Sequence, residues 1–77
     1  MTNLSQAAPK STVSWMEALA KVAPWLYGGD REFAASLARQ FDRKGRLSDK
    51  QWTYVKILAE RGMDRAPIEV LMDISYN

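Results

Sequence analysis

Five cationic side chains fall close together in the middle of the chain, and phosphate binding is the chemistry that such a cluster would support. They are Arg39, Arg43, Lys44, Arg46 and Lys50. These groups neutralise phosphate charge, and the free amides of a helix that starts after Ser48 would add hydrogen-bond donors. Asp42 and Asp49 lie among the cations and partly cancel their field. The cluster therefore predicts either phosphate contacts or a solvated surface of mixed charge.

Four aromatic residues flank this cluster: Trp25, Tyr27, Trp52 and Tyr54. Exposed aromatic rings beside Lys or Arg stack on unpaired bases, and they also anchor protein interfaces. A small domain with only two Phe must in addition use Trp and Tyr to fill its core. We therefore expect Trp52 in the core. Trp25 and Tyr27 occur in a turn rich in Pro and Gly and are the better candidates for exposure.

Catalysis is not expected, because several common reactive side chains are missing. The chain has no Cys and no His, which excludes disulfide scaffolds, zinc knuckles, Cys nucleophiles and Ser-His-Asp triads. A short helical chain also has little room for a concave pocket that would shift the pKa values of the remaining Asp, Glu, Lys and Tyr groups. We predict a protein that is not an enzyme and that binds no cofactor and no metal ion.

The length and composition predict one small globular domain in the cytoplasm. A chain of 77 residues buries roughly 60% of its extended-chain surface, which allows a single modest core. The net charge of +2 is too small by itself to imply nucleic acid. No apolar run approaches the ~20 residues of a membrane span, and residues 1–13 lack the pattern of a signal peptide.

The elements that position these residues are predicted to be helices. Residues 1–13 are small and polar and are predicted as a disordered N-terminal arm, followed by a helical domain over residues 14–77. Ser14 and Glu17 have the spacing of a capping box, so the first helix should begin at Ser14. It should end just before Pro24, which cannot continue a helix without losing a backbone hydrogen bond.

The second and third helices should form a hairpin whose turn contains the basic cluster. Asp30 is a candidate N-cap for the second helix, and Gly45 is the expected left-handed residue that ends it. Ser48, with Gln51 three residues later, forms another capping box at the start of the third helix. Most of the stretch GRLSDKQW is therefore explained by the end of one helix and the start of the next.

The complete pattern predicts an all-α fold, a small single domain of three main helices plus a short C-terminal helix. The third helix should end at Gly62, and the fourth should begin near Pro67. The predicted core of the hairpin is Phe33, Leu37, Phe41, Val55 and Leu58. Ile57 lies off the apolar stripe, so it is either packed by another helix or exposed for a partner. Residues 68–76 carry apolar side chains on two faces, which seal the core or pair two chains as a symmetric homodimer.

The segment from residue 33 to residue 55 matches the pattern F-x-x-S-L-x-x-Q-x-x-x-x-G-x-L-S-x-K-Q-x-x-x-V. The matching positions are Phe33, Ser36, Leu37, Gln40, Gly45, Leu47, Ser48, Lys50, Gln51 and Val55. This segment resembles a helical element that recurs in small proteins of tailed bacteriophages and in some phage or plasmid DNA-processing proteins. The resemblance implies a phage-encoded accessory protein that acts on nucleic acid or on the host machinery that handles it. It implies no catalytic residue.

Two functions follow as hypotheses. The first is a non-catalytic interaction module that binds and modulates the transcription or replication apparatus in the host cytoplasm, with Trp25, Tyr27, Arg39 and Arg43 as partner-binding residues. The alternative is a nucleic-acid-binding module that contacts phosphates through Arg39, Arg43, Lys44, Arg46 and Lys50. Nucleic-acid binding should weaken steeply as salt rises, whereas an interface dominated by buried aromatic residues should not.

Overall fold

The computed structural model describes the backbone of residues 12–75 and the side chains of residues 15–74. This part of the chain forms four α-helices and one short 3-10 turn, and it contains no strand. The helices are α1 (Thr12–Val22), α2 (Gly28–Lys44), α3 (Asp49–Arg65) and α4 (Ile68–Ser75), and the 3-10 turn is Ala23–Trp25. The predicted all-α fold of three main helices plus a short C-terminal helix is confirmed.

The first helix begins earlier than predicted. α1 already includes Thr12, so Ser14 lies inside the helix and is not its N-cap. The capping box of Ser14 with Glu17 is therefore wrong as the start of α1. A cap contributes about 1 kcal/mol, and α1 has a whole apolar face whose burial outweighs it. The predicted N-terminal arm otherwise lies outside the described residues.

The connection from α1 to α2 is shorter than predicted. α1 ends where the proline was expected to end it, and the 3-10 turn Ala23–Trp25 follows. α2 then begins at Gly28, whose φ of +51° is in the region that favours glycine. Asp30 consequently lies in the first turn of α2 and is not its N-cap, because the N-cap is Tyr27. The carboxylate of Asp30 instead binds Arg61 of α3.

The turn between α2 and α3 has the predicted caps. Gly45 ends α2 with a φ of +75°, and its amide donates to the carbonyl of Phe41 at 2.7 Å. The Ser48 Oγ accepts from the Gln51 amide at 3.1 Å, and the Gln51 Oε1 accepts from the Ser48 amide at 2.9 Å. Both predictions are confirmed because each depends on residues close in the sequence.

Gly62 does not end the third helix, contrary to the prediction. α3 continues through Gly62 to Arg65, and Ala66 and Pro67 follow. Gly62 is buried against α1, where a β-carbon would lie 2.7 Å from the Val22 Cβ and 3.0 Å from the Val22 carbonyl oxygen. The missing side chain therefore lets α1 and α3 approach closely, which offsets the poor helix propensity of glycine.

The core lies mainly between α1 and α3, with α2 packed across them. The buried apolar residues are Met16, Ala18, Leu19, Val22, Leu26, Ala34, Leu37, Val55, Leu58 and Ala59. Of the predicted hairpin core, Leu37, Val55 and Leu58 are buried and Phe41 is half-buried. The placement of Phe33 in the core was wrong, because α1 covers the opposite edge of α2 and leaves Phe33 exposed.

Candidate interaction surfaces

Three large apolar side chains lie exposed together on the outer side of the α2–α3 hairpin. They are Phe33 of α2 and Tyr54 and Ile57 of α3, with relative exposures between 37% and 39%. The rings of Phe33 and Tyr54 meet edge to face, with their centroids 5.3 Å apart. Tyr54 and Ile57 are three residues apart and therefore neighbours on the helix surface. We call these three residues the aromatic face.

Two guanidinium groups lie on α3 beyond the aromatic face, and both are already held in place. The Arg61 Nη1 donates to both carboxylate oxygens of Asp30 at 3.0 Å. The Arg65 guanidinium lies over the exposed ring of Tyr27, 4.3 Å from the ring centroid. These contacts join the start of α2 to the end of α3, so the side chains lose less freedom when a partner binds.

The opposite end of the hairpin contains the five predicted cations, which we call the basic turn: Arg39, Arg43, Lys44, Arg46 and Lys50. All five are exposed. Among the residues described, the ion pairs are Lys21–Asp73 and Arg61–Asp30, so neither Asp42 nor Asp49 binds a cation of the basic turn directly. The positive charge at this end of the hairpin is therefore not cancelled by direct contacts within the described structure.

A short hydrogen-bonded series of side chains lies between the basic turn and the aromatic face. The Gln51 Nε2 donates to the Gln40 Oε1 at 2.8 Å, and the Gln40 Nε2 donates to the Ser36 Oγ at 3.5 Å. These three residues belong to the pattern found in residues 33–55, and here they connect α2 to α3. Phe33 and Lys50 also belong to the pattern, but both are exposed and take no part in these bonds.

The predicted partner-binding residues do not form one continuous surface. Tyr27 is exposed, whereas Trp25 is half-buried. Arg39 and Arg43 lie roughly 18 and 24 Å from Tyr27 along the axis of α2, from the 1.5 Å rise per residue. Trp52, which was expected in the core, is half-buried, and its ring meets that of Phe41 edge to face at 5.5 Å.

Sequence reasoning did not identify Phe33 as a surface residue, because Phe33 and Leu37 are one turn apart and share an apolar stripe. The one available signal was Ile57, which lies off the apolar stripe of α3 and was left as either packed or exposed. The structure places it among the exposed residues. The position of Ile57 off the apolar stripe of α3 thus indicated the side of the hairpin on which Phe33 of α2 is also exposed.

Comparison with known proteins adds nothing to this geometry: no family model matches the chain, and no curated protein or solved structure shows significant similarity to it. None of the helices in the described residues is long and apolar enough to cross a membrane. Over the same part of the chain, no group of Asp and Glu side chains is arranged to hold a metal ion. The aromatic face and the basic turn are therefore the two candidate binding surfaces.

Proposed function

We propose that this protein is a non-catalytic interaction module and that the aromatic face binds a protein partner. The observation that supports the proposal is the exposure of Phe33, Tyr54 and Ile57 side by side. Aromatic and arginine residues provide most of the binding energy in protein interfaces, particularly where surrounding contacts exclude water. Arg61 and Arg65 supply such groups on the same helix as Tyr54 and Ile57.

The proposed partner is a component of the host transcription or replication apparatus, and the proposed setting is the cytoplasm of a phage-infected cell. The support for this part is the resemblance of residues 33–55 to phage-encoded segments. The chemistry of the aromatic face adds a requirement for the partner. It should present an apolar anchor to Phe33 and Tyr54. Lys50 is exposed one turn before Tyr54 on α3, so the partner should also place acidic groups opposite its ammonium group.

A photo-crosslinking amino acid at position 57 is expected to form an adduct with the partner in bacterial cells. The reason is that Ile57 is exposed within the aromatic face. The matched control is the same amino acid at Lys56, which is also exposed but is turned about 100° around α3 from Ile57, towards Trp15 of α1. Mass spectrometry of the adducts measures both yields, and Phe33→Ala should reduce the yield from position 57 several-fold.

Equal adducts from positions 57 and 56 would contradict the proposal, because contact would then not be specific to the aromatic face. Phe33→Ala must remain folded for its result to count. Its exposure makes this the expected outcome, and far-UV circular dichroism of the purified variant checks it. An unchanged adduct yield from position 57 in folded Phe33→Ala would show that the Phe33 ring is not part of the interface.

We propose nucleic-acid binding through the basic turn as the second candidate function. The observation that favours it is that all five cations of the basic turn are exposed and that none is in a salt bridge within the described residues. The first turn of α3 follows Arg46 in the sequence and includes Lys50, so it lies within the basic turn. The amides of Asp49 and Lys50 in this turn are not used by the capping box, and they add donors for a phosphate group.

Anisotropy titration of labelled single-stranded and duplex oligonucleotides tests this second function. If all five cations contact phosphates of a duplex, log K should fall against log salt with a slope of about −4 to −5. The double variant Arg39→Glu/Arg43→Glu should abolish binding. The control Arg31→Glu/Lys56→Glu makes the same charge change away from the basic turn. It should bind oligonucleotides measurably more tightly than Arg39→Glu/Arg43→Glu does. Absence of binding at low salt would reject nucleic acid as the ligand.

A further inference from the structure

Two apolar features are not covered by any of the residues that the structure describes. The first is a ridge on α4, where Ile68 and Met72 lie one turn apart and are 64% and 50% exposed. The other side of α4 is used in the fold, since Ile74 packs on the core and Asp73 is ion-paired with Lys21 of α1. Within the described part of the chain, the ridge therefore remains uncovered although α4 packs on α1.

The second feature is an open groove of about 280 Å³ between α1 and α2. Its lining is almost entirely apolar: Met16, Leu19, Ala20, Ala23, Pro24, Ala34, Ala35 and Ala38. The one charged residue in the lining is Arg31, which forms no salt bridge with any residue that the structure describes. The groove is smaller than most small-molecule sites, which occupy about 300–1,000 Å³, so a few inserted side chains suit it better than a cofactor.

We propose that the α4 ridge of one copy inserts into the α1–α2 groove of a second copy. Ile68 and Met72 would fill the apolar groove, and both surfaces would lose contact with water. The charges are also complementary. Glu69 is exposed next to the ridge, and Arg31 is the cation of the groove. This contact is independent of the aromatic face and of the partner proposed above.

The ridge and the groove are different surfaces, so one such contact joins unlike sides of two copies. A two-fold axis that uses the contact twice closes the assembly as a dimer. This arrangement differs from a homodimer in which residues 68–76 of two chains pair with each other. In the arrangement proposed here each α4 meets Ala35 and Arg31 of the partner copy, and the two models therefore predict different effects of groove variants.

Sedimentation equilibrium of the full chain over a range of concentrations tests the proposal. We expect the average mass to rise from monomer towards dimer with concentration. Met72→Glu in the ridge and Ala35→Glu in the groove should each weaken association at least tenfold. Both positions are exposed, so both variants should fold, and thermal melting checks this. Lys56→Glu, an exposed charge change on α3, should leave association within a factor of two.

A charge exchange provides the more specific test. Arg31→Glu and Glu69→Arg should each weaken association several-fold, and the double variant should recover most of the loss because the pair is restored with reversed sign. A monomer at every concentration would overturn the proposal. The proposal would also be overturned if Met72→Glu lost association and Ala35→Glu did not, since the two copies would then pair through α4 alone. Failure of the double variant to recover would also overturn it.

Discussion

Replacement of Leu58 with alanine is expected to lower the free energy of unfolding by about 2–5 kcal/mol. Leu58 is among the fully buried side chains and lies on α3, which packs against both α1 and α2. Its truncation removes apolar contacts and leaves a cavity that the neighbouring helices fill only in part. Natural domains have total stabilities of about 5–15 kcal/mol, and a domain this small should lie near the lower end. Urea denaturation followed by circular dichroism measures the loss.

The control for Leu58 is its neighbour in the sequence. Ile57→Ala removes a side chain of the same size from the aromatic face, and the expected cost is clearly smaller than at Leu58, because Ile57 is 37% exposed and loses less buried apolar surface. Equal losses at the two positions would show that the assigned rotation of α3 about its axis is incorrect. A large loss at Ile57 alone would place the aromatic face in the core.

Gly62→Ala is expected to destabilise the protein by about 1–3 kcal/mol, as overpacked core variants do. This direction is opposite to the effect of helix propensity, which favours alanine over glycine by about 1 kcal/mol. The new β-carbon would lie 2.7 Å from the Val22 Cβ and 3.0 Å from the Val22 carbonyl oxygen. Relief of that overlap requires α1 and α3 to separate, which loosens the core. Denaturant midpoints of the variant and the original protein give the difference.

Gly29→Ala is the matched control for this prediction. Gly29 lies in α2 without a positive φ, and a β-carbon there meets nothing within 4 Å. The variant should therefore be neutral or more stable by up to about 1 kcal/mol. The double variant Val22→Ala/Gly62→Ala should lose less than the sum of its single variants, because the smaller side chain makes room. Stabilisation by Gly62→Ala would mean that α1 and α3 are further apart.

The caps around the α2–α3 turn could be predicted because their signals are local. Gly45 follows a basic last turn, and Ser48 and Gln51 are three residues apart, so the bonding partners are specified by sequence spacing alone. The end of α1 just before Pro24 was predicted from the same kind of local signal. Such features need no knowledge of which helices later pack together.

Gly62 and Phe33 were assigned wrongly for a common physical reason, since the role of each depends on a distant helix. A glycine after a basic residue is equally typical of a C-cap and of a close helix contact, and Val22 of α1 decides between them. Phe33 and Leu37 share one stripe of α2, and only the position of α1 determines which of them is covered. Val22 and Gly62 are 40 positions apart in the sequence, and no local pattern indicates that they are in contact.

The sequence indicated which types of residue would form the candidate surfaces, but not which of these residues would lie next to one another. The basic turn followed from the order of the residues, because its five cations all fall within residues 39–50. Tyr27 was correctly expected at the surface, but its contact is Arg65, a residue that sequence reasoning had assigned no role. The aromatic face combines residues from two helices, so its existence depends on the register in which α2 and α3 pack.

The close contact of α1 with α3 has a consequence for synthesis of the protein on the ribosome. α1 is made before α3, and the helix that follows it in the sequence, α2, covers only part of its apolar face. The main packing partner of Val22 is absent until the segment around Gly62 has left the ribosome. During that interval the growing chain exposes the apolar side of α1, and such transient surfaces are the ones that chaperones bind. Emergence of α3 from the ribosome thus ends the period in which the apolar side of α1 is exposed.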